Sequence, residues 1–403
     1  MAKGFFPLDE ELELLEGELT PRGHENLVRL CGWMPFQRAS EVMEDLLGIT
    51  VNKNVGQQYT ERAGAAYEQL QNEAVDELEK KATLAPAGAA RMQISADGAM
   101  VPLLHGIWAE VRTLVIGEVE PPKQERGEQV VHTRQLSYFS RKVNAETFDR
   151  LALVETHRRG IENAGQVVAV MDGAEWEQGF IDHHCPQAIR ILDFAHAAEH
   201  IGVIGASLYG ENTAETHAWL DEHLHQLKHT GPDEILAEIR DLQEKFPEKQ
   251  EISGHLAYLE KRKQHLRYPL FQAQGWPIGS GIVESGNKVV VEARMKGAGM
   301  HWAENNVNPM LTIRNILCSD RWKEEWPKIE RKLRQQITWS RRKRRQERAY
   351  LKHLENWQLL DLPMPVIQKK VPAQSKPNPC RNFKLKRALY RQSNPQNFRT
   401  HPY

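Results

Sequence analysis

The sequence predicts an α/β protein built on a mixed sheet, with a helical region before it, a helical insertion within it and a basic tail after it. Three observations carry this. Gln166–His200 (QVVAVMDGAEWEQGFIDHHCPQAIRILDFAHAAEH) holds two apolar runs that each end in an aspartate. Strand-like segments before it follow one another directly, whereas within it they alternate with helices. Charge also separates along the chain: residues 321–403 carry 22 Lys+Arg against 6 Asp+Glu, leaving 31 basic against 48 acidic residues before them.

The totals bound the answer. With 403 residues and 40 % hydrophobic composition, two or three domains with real cores are expected. No apolar run approaches the length of a membrane span, and MAKGFFPLDEELELLEGEL lacks the apolar region of a secretory signal. Cys31, Cys185, Cys318 and Cys380 are scattered without a CxxC pair, which suits a reducing cytoplasm and argues against a cysteine zinc site.

Residues 1–84 read as helical. Pro35–Leu47 places Phe36, Ala39, Val42, Met43, Leu46 and Leu47 on one stripe and stops at Gly48. After Ile49-Thr50-Val51, Asn52 can cap a second helix through Val55, Tyr59, Ala63, Ala66 and Tyr67. Helix, glycine turn, helix is the helix-turn-helix pattern, equally the pattern of a structural hairpin. If its second helix enters a DNA groove, Asn54, Gln57, Gln58 and Arg62 are the polar candidates.

Ala85–Ala90 reads as a linker. Met92–Ala96 is a strand running into Asp97-Gly98, and Met100–Leu104 continues it or turns into its partner. Trp108–Val119 and His132–Val143 are the next two strands, with Pro121–Gln129 a polar hairpin loop between them. Asn144–Ala164 is expected as a helix capped by Asn144. Val167–Met171, without a polar residue and β-branched at Val167, Val168 and Val170, reads as a central strand covered on both faces; it delivers Asp172. Ala188–Leu192 delivers Asp193 and leads into a helix carrying His196. A meander followed by β-α-β crossovers is the order of the ribonuclease H-like fold, in which the first and fourth strand ends are neighbours. Asp97 and Asp172 would then meet at one rim.

The catalytic region is thus expected over residues 91–210 and 276–320, with 211–275 a helical insertion broken at Gly231-Pro232, Pro247 and Gly254. His223 and His225 in that insertion are two apart and do not share a helix face, which speaks against metal ligation. Ile278–Met295 (IGSGIVESGNKVVVEARM) returns to the core. Ser280 can cap a helix with Glu284 in its first turn and Lys288 one turn on, while Gly279 and Gly281 leave room for a close backbone approach. Residues 321–403 form the basic region. Its cluster Arg341, Arg342, Lys343, Arg344, Arg345, with Trp339 beside it, suits phosphate contacts, and Val366–Tyr403 reads as loose chain.

Asp97, Asp172 and Glu284 offer oxygen ligands of the kind Mg²⁺ takes, with water and phosphate oxygens completing the shell. Two such ions clamp the attacking and leaving oxygens of an in-line displacement at phosphorus. Each Asp-Gly alone is simply a turn; the three carboxylates gain weight from falling where one fold would join them.

The segments SADGAMVPL, VVAVMDGAEW, ILDFAHAAEH, GSGIVESGNK and RMKGAGMHW, in this order, resemble the DDE transposases of bacterial insertion sequences, and among them the IS-Kra4-like group, related to the IS-L3 and Mutator-type enzymes. The resemblance covers roughly residues 5 to 325. It implies an RNase H-like catalytic domain, an N-terminal DNA-binding region, and Asp97, Asp172 and Glu284 as the catalytic, metal-binding set for two Mg²⁺ ions, with Mn²⁺ as a substitute. It further implies double-stranded DNA as partner, both element ends and target, a homo-oligomer on that DNA, and a bacterial cytoplasmic, nucleoid-associated location without a membrane. Asp193-Phe194-Ala195-His196 matches the Asp-x-x-His signature of the Mutator-related group; Asp193 and His196 are expected as support, with Asp193 the alternative to Asp172 as second ligand.

Two other readings stay open. His196-Ala-Ala-Glu199-His200 matches the HxxEH pattern of zinc peptidases, but leaves the three carboxylates and the basic tail unused. A transposase-derived protein that binds DNA without cutting it is the other.

Overall fold

The computed structural model describes residues 19–358, apart from 82, 126 and 127. The expectation for Val366–Tyr403 therefore falls outside the described residues. The described residues fall into two units, divided between Trp339 and Ser340.

The described residues begin with three helices: α1 (Pro21–Trp33), α2 (Phe36–Leu47) and α3 (Lys53–Lys80). Gly48 ends α2 in the left-handed conformation, φ 64°. Asn52 caps α3, accepting from Asn54 N at 2.9 Å.

The sheet follows. Its strands are β1 (Arg91–Pro102), β2 (Trp108–Val119), a short ribbon of β3 (Lys123–Glu125) with β4 (Glu128–Val130), then β5 (Thr133–Arg141), β6 (Gln166–Met171) and β7 (Ile189–Leu192). Helix α4 (Ala145–Arg158) joins β5 to β6, and α5 (Glu175–His184) joins β6 to β7. The main sheet runs β5-β2-β1-β6-β7. The β1–β2 and β2–β5 pairs are antiparallel; β1–β6 and β6–β7 are parallel. The first and fourth strands of this sheet are thus neighbours.

Of the two expectations for Met100–Leu104, continuation of the strand is the one observed: the β1 hairpin with β2 stays in register from Met92 to Pro102, so Asp97 lies inside the strand opposite Thr113. Local expectations are corrected in two places. The helix after Asn144 ends at Arg158 rather than Ala164, because Gly160 turns left-handed at φ 66° and a 3₁₀ turn, Ile161–Asn163, follows. The 121–129 loop folds back on itself as β3 and β4.

From β7 the chain enters α6 (Phe194–Tyr209), then α7 (Ala214–His229), α8 (Pro232–Lys245), α9 (Gln250–Lys261) and α10 (Tyr268–Ala273). It returns through α11 (Gly281–Gly286), a π-helical turn (Asn287–Glu292) and α12 (Ala293–Met295) to α13 (Glu304–Cys318) and α14 (Trp322–Gln358).

Period-two alternation sorts the sheet's side chains onto two faces. Met92, Ile94, Ala96, Leu114, Ile116 and Met171 face α4 and α5 through Phe148, Phe180 and Ile181. On the other face, Val168, Val170 and Ile191 pack with the insertion through Trp219, Leu256 and Phe271. Further along that face, Ala99, Val101, Val111 and Val115 meet Val283, Val290 and Leu311. Leu27, Met43, Tyr59 and Ala63 of the first helices share a core with Ile313, Trp322 and Trp326. Among the described residues, no helix is long and apolar enough to cross a membrane.

Candidate functional site

Register sets the site. The parallel ladders pair Ile94 with Ala169 and Met171 with Leu192. Continued along the strands, they bring Asp97, Asp172 and Asp193 to one level across β1, β6 and β7. The three aspartates nonetheless have different surroundings.

Asp97 is half-buried in β1. Its Oδ1 accepts from Gly98 N at 2.6 Å and its Oδ2 from Asn287 Nδ2 at 2.8 Å. Burial raises its pKa above the ordinary value; the Gly98 amide opposes this, and the charges of Asp172 and Glu284 add to it. Asp97 is therefore within electrostatic reach of both expected partners.

Asp172 leaves β6 and turns at Gly173, whose φ is 86°. Its Oδ1 accepts from Ala174 N at 2.8 Å. The insertion clamps this turn from outside. Tyr258 OH donates to the Asp172 carbonyl, and Arg262 donates to Gly173 O through Nε at 3.1 Å and Nη2 at 2.6 Å. A Cβ on Gly173 would lie 2.6 Å from Arg262 Nε, so only glycine fits both the turn and the clamp.

A fourth carboxylate joins the group. Glu177, in the first turn of α5, is fully buried, and its Oε2 accepts from Gly173 N at 3.1 Å. Burial, then the neighbouring Asp172, push its pKa up to about 10. With that pKa the Glu177 carboxyl holds its proton at neutral pH.

Glu284 is exposed on α11. That helix lies close on the sheet because of Gly286, where a Cβ would meet Val115 Cγ2 at 2.6 Å. The close approach expected at Gly279 and Gly281 is not there: a Cβ on Gly281 would meet nothing within 4 Å, and one on Gly279 only Asp193 Oδ1 at 3.8 Å. Ser280 makes no side-chain cap either. Its backbone N–H instead donates to Asp193 Oδ1 at 2.7 Å. The π-helical turn after Gly286 carries Asn287, which reaches Asp97.

Asp193 is buried, 5 % exposed, and its second oxygen caps α6 by accepting from His196 N at 2.9 Å. With both oxygens committed to backbone amides, it ties α6 to the glycine turn before Glu284. His196 Nε2 lies 3.3 Å from His200 Nε2, and His200 Nδ1 lies 2.7 Å from His255 Nδ1. Burial, then the charges of His196, His255 and Arg262, hold His200 at about 4. It stacks on the Tyr258 ring at 3.8 Å. Glu199, the remaining member of the HxxEH match, is exposed.

The nucleic-acid candidates lie on three different elements. On α3, Asn54, Gln58 and Arg62 are exposed, while Gln57 is half-buried and donates to Glu61 at 2.7 Å. Lys288 is exposed one turn beyond Glu284. In the second unit, Arg342, Lys343, Arg344 and Arg345 are exposed on α14 and Arg341 is half-buried.

Glu177, Asn287, Tyr258 and Arg262 escape sequence reasoning. Glu177 has a weak local signal, a carboxylate one helical turn after the Asp-Gly; Glu175 beside it is indistinguishable by that test. Tyr258 and Arg262 are more than eighty residues from the turn they hold, with no local sign of it.

The donor set is all oxygen and the like charges crowd one another, which fits a hard divalent cation. No family model matches the chain, and no curated protein matches it.

Proposed function

We propose that the protein is a DDE transposase, a polynucleotidyl transferase with an RNase H-like catalytic domain acting on double-stranded DNA. The observation that carries the reading is the register that brings Asp97 and Asp172 to one level on the neighbouring parallel strands β1 and β6, with Asn287 of the turn after α11 reaching Asp97. The sheet order β5-β2-β1-β6-β7, with the first and fourth strands parallel neighbours, supports it.

Asp97, Asp172 and Glu284 would hold two Mg²⁺, for which Mn²⁺ can substitute; the bound ions supply Lewis-acid stabilisation of the phosphoryl oxygens and lower the pKa of a water or 3′-hydroxyl nucleophile. Asn287 orients Asp97, the Tyr258–Arg262 clamp fixes Asp172, and Asp193 fixes the turn before Glu284. Lys288 and the basic residues Arg341–Arg345 suit the phosphate backbone, and Asn54, Gln57, Gln58 and Arg62 suit recognition of the element ends. A homo-oligomer on two ends, in a bacterial cytoplasm, completes the proposal.

The test is strand cleavage and joining on labelled DNA carrying the ends that flank this gene, in Mg²⁺ and in EDTA. Metal-dependent nicking at the ends followed by joining is expected. End binding with no nicking by the intact protein would favour a DNA-binding protein derived from a transposase.

A further inference from the structure

Asp149, His183 and His184 form a second cluster of ligating groups, unconnected with the carboxylates at the rim. Asp149 lies in the first half of α4, and the two histidines close the C-terminal end of α5. His184 is about 10 Å along α5 from Glu177.

His183 Nδ1 lies 2.6 Å from Asp149 Oδ2, and His184 Nε2 lies 3.2 Å from Asp149 Oδ1. Ligand atoms about 2.0–2.1 Å from a tetrahedral Zn²⁺ stand about 3.3 Å apart, so these separations need only a small relaxation. One such atom from each of the three residues can be chosen with all of them within 4.8 Å of one another.

Three further features point to a cation. His184 Nε2 faces the Asp149 carbonyl oxygen at 2.9 Å and Asp149 Oδ1 at 3.2 Å, and that Oδ1 is buried with no hydrogen-bond partner. His184 Nδ1 is 3.2 Å from Thr156 Oγ1, which also reaches the carbonyl oxygens of Ala152 and Leu153. Thr156 can give its proton to the helix and accept from Nδ1–H, leaving the Nε2 lone pair for a metal; that is how a ligating imidazole is held. The helix end adds its partial negative charge.

We propose that Asp149, His183 and His184 bind one transition-metal ion of the Zn²⁺ class, clamping α4 to the end of α5. The imidazole nitrogens distinguish this site from the all-oxygen group at the rim. His184 is 1 % exposed and His183 54 % exposed, so the site has a fixed wall and an open side for a water ligand.

The experiment titrates the full chain with Zn²⁺ against a chromophoric chelator, in excess Mg²⁺, with Co²⁺ absorption as reporter of the ligand field. One Zn²⁺ per chain is expected, weakened by about 100-fold in Asp149→Asn and in His183→Ala and about 10-fold in Thr156→Val. His183 is exposed, so its removal leaves the fold intact. Asp172→Asn and His200→Ala are expected to keep the ion and its Co²⁺ spectrum. Equal affinity in wild type and His183→Ala, no binding at all, or loss of the ion in His200→Ala would each overturn the proposal.

Discussion

Asp193 Oδ1 accepts a 2.7 Å hydrogen bond from Ser280 N, joining the start of α6 to the turn that launches α11 across 87 residues of sequence. Because Oδ2 also caps α6, this carboxylate does structural work at a position where the sequence alone allows a metal ligand. Asp193→Ala would strand the buried Ser280 amide and the half-buried His196 amide, and a loss of about 2–4 kcal/mol is expected in urea unfolding. Asp172→Asn, whose amide oxygen still accepts from Ala174, is expected to unfold at or above the wild-type midpoint in EDTA.

Glu177 governs a pH dependence. Its folded pKa of about 10 lies above the ordinary value of 4.5, so the native state holds a proton that the unfolded chain releases across that window. Its contribution is fully present below about pH 4.5 and declines as pH rises towards 10. Glu177→Gln mimics the neutral acid, so between pH 5.5 and 8.5 the variant should lose less stability than wild type. An equal loss in both would contradict the assignment.

His24 works in the opposite direction. It is 5 % exposed against Tyr59 and Trp326, and no hydrogen bond reaches either ring nitrogen. Burial, then the charge of Arg62, lower its pKa from 6.5 to about 4. The unfolded chain takes up the proton first, so the protein is expected to lose up to about 3 kcal/mol as pH falls through this range. Replacement by Phe should remove that part of the acid sensitivity, measured by thermal melts at pH 7 and pH 5.

Gly286→Ala would put a methyl group against Val115 and lift α11 from the sheet. The expected cost is about 1–3 kcal/mol of stability. DNA nicking should fall by more than the loss of folded protein explains, since Glu284 moves with the helix. Comparison of activity per folded molecule checks this.

The sequence made the element order legible because apolar periodicity and the Asn52, Gly48 and Asn144 signals are local. Asp172 and Glu284 stand out as candidates for the same reason, since one follows β6 and the other lies in the first turn of α11; Asp97 stands out only by its glycine, because β1 runs on through it. What could not be read depends on contacts distant in sequence. The choice between Asp172 and Asp193 turns on where Ser280 N points, and the close seat of α11 on Gly286 depends on Val115. The Tyr258–Arg262 clamp comes from an insertion whose register on the sheet no local pattern gives.

The most direct measurement is single-turnover nicking of end DNA by wild type, Asp172→Asn and Asp193→Asn, each in Mg²⁺ and in Mn²⁺. The account predicts that Asp172→Asn loses ~10³-fold or more in rate, about 4 kcal/mol of barrier, in Mg²⁺. Asp193→Asn, whose amide oxygen keeps one backbone contact, should lose far less and keep the wild-type Mg²⁺ dependence. Abolished nicking in Asp193→Asn with near-normal nicking in Asp172→Asn would contradict it.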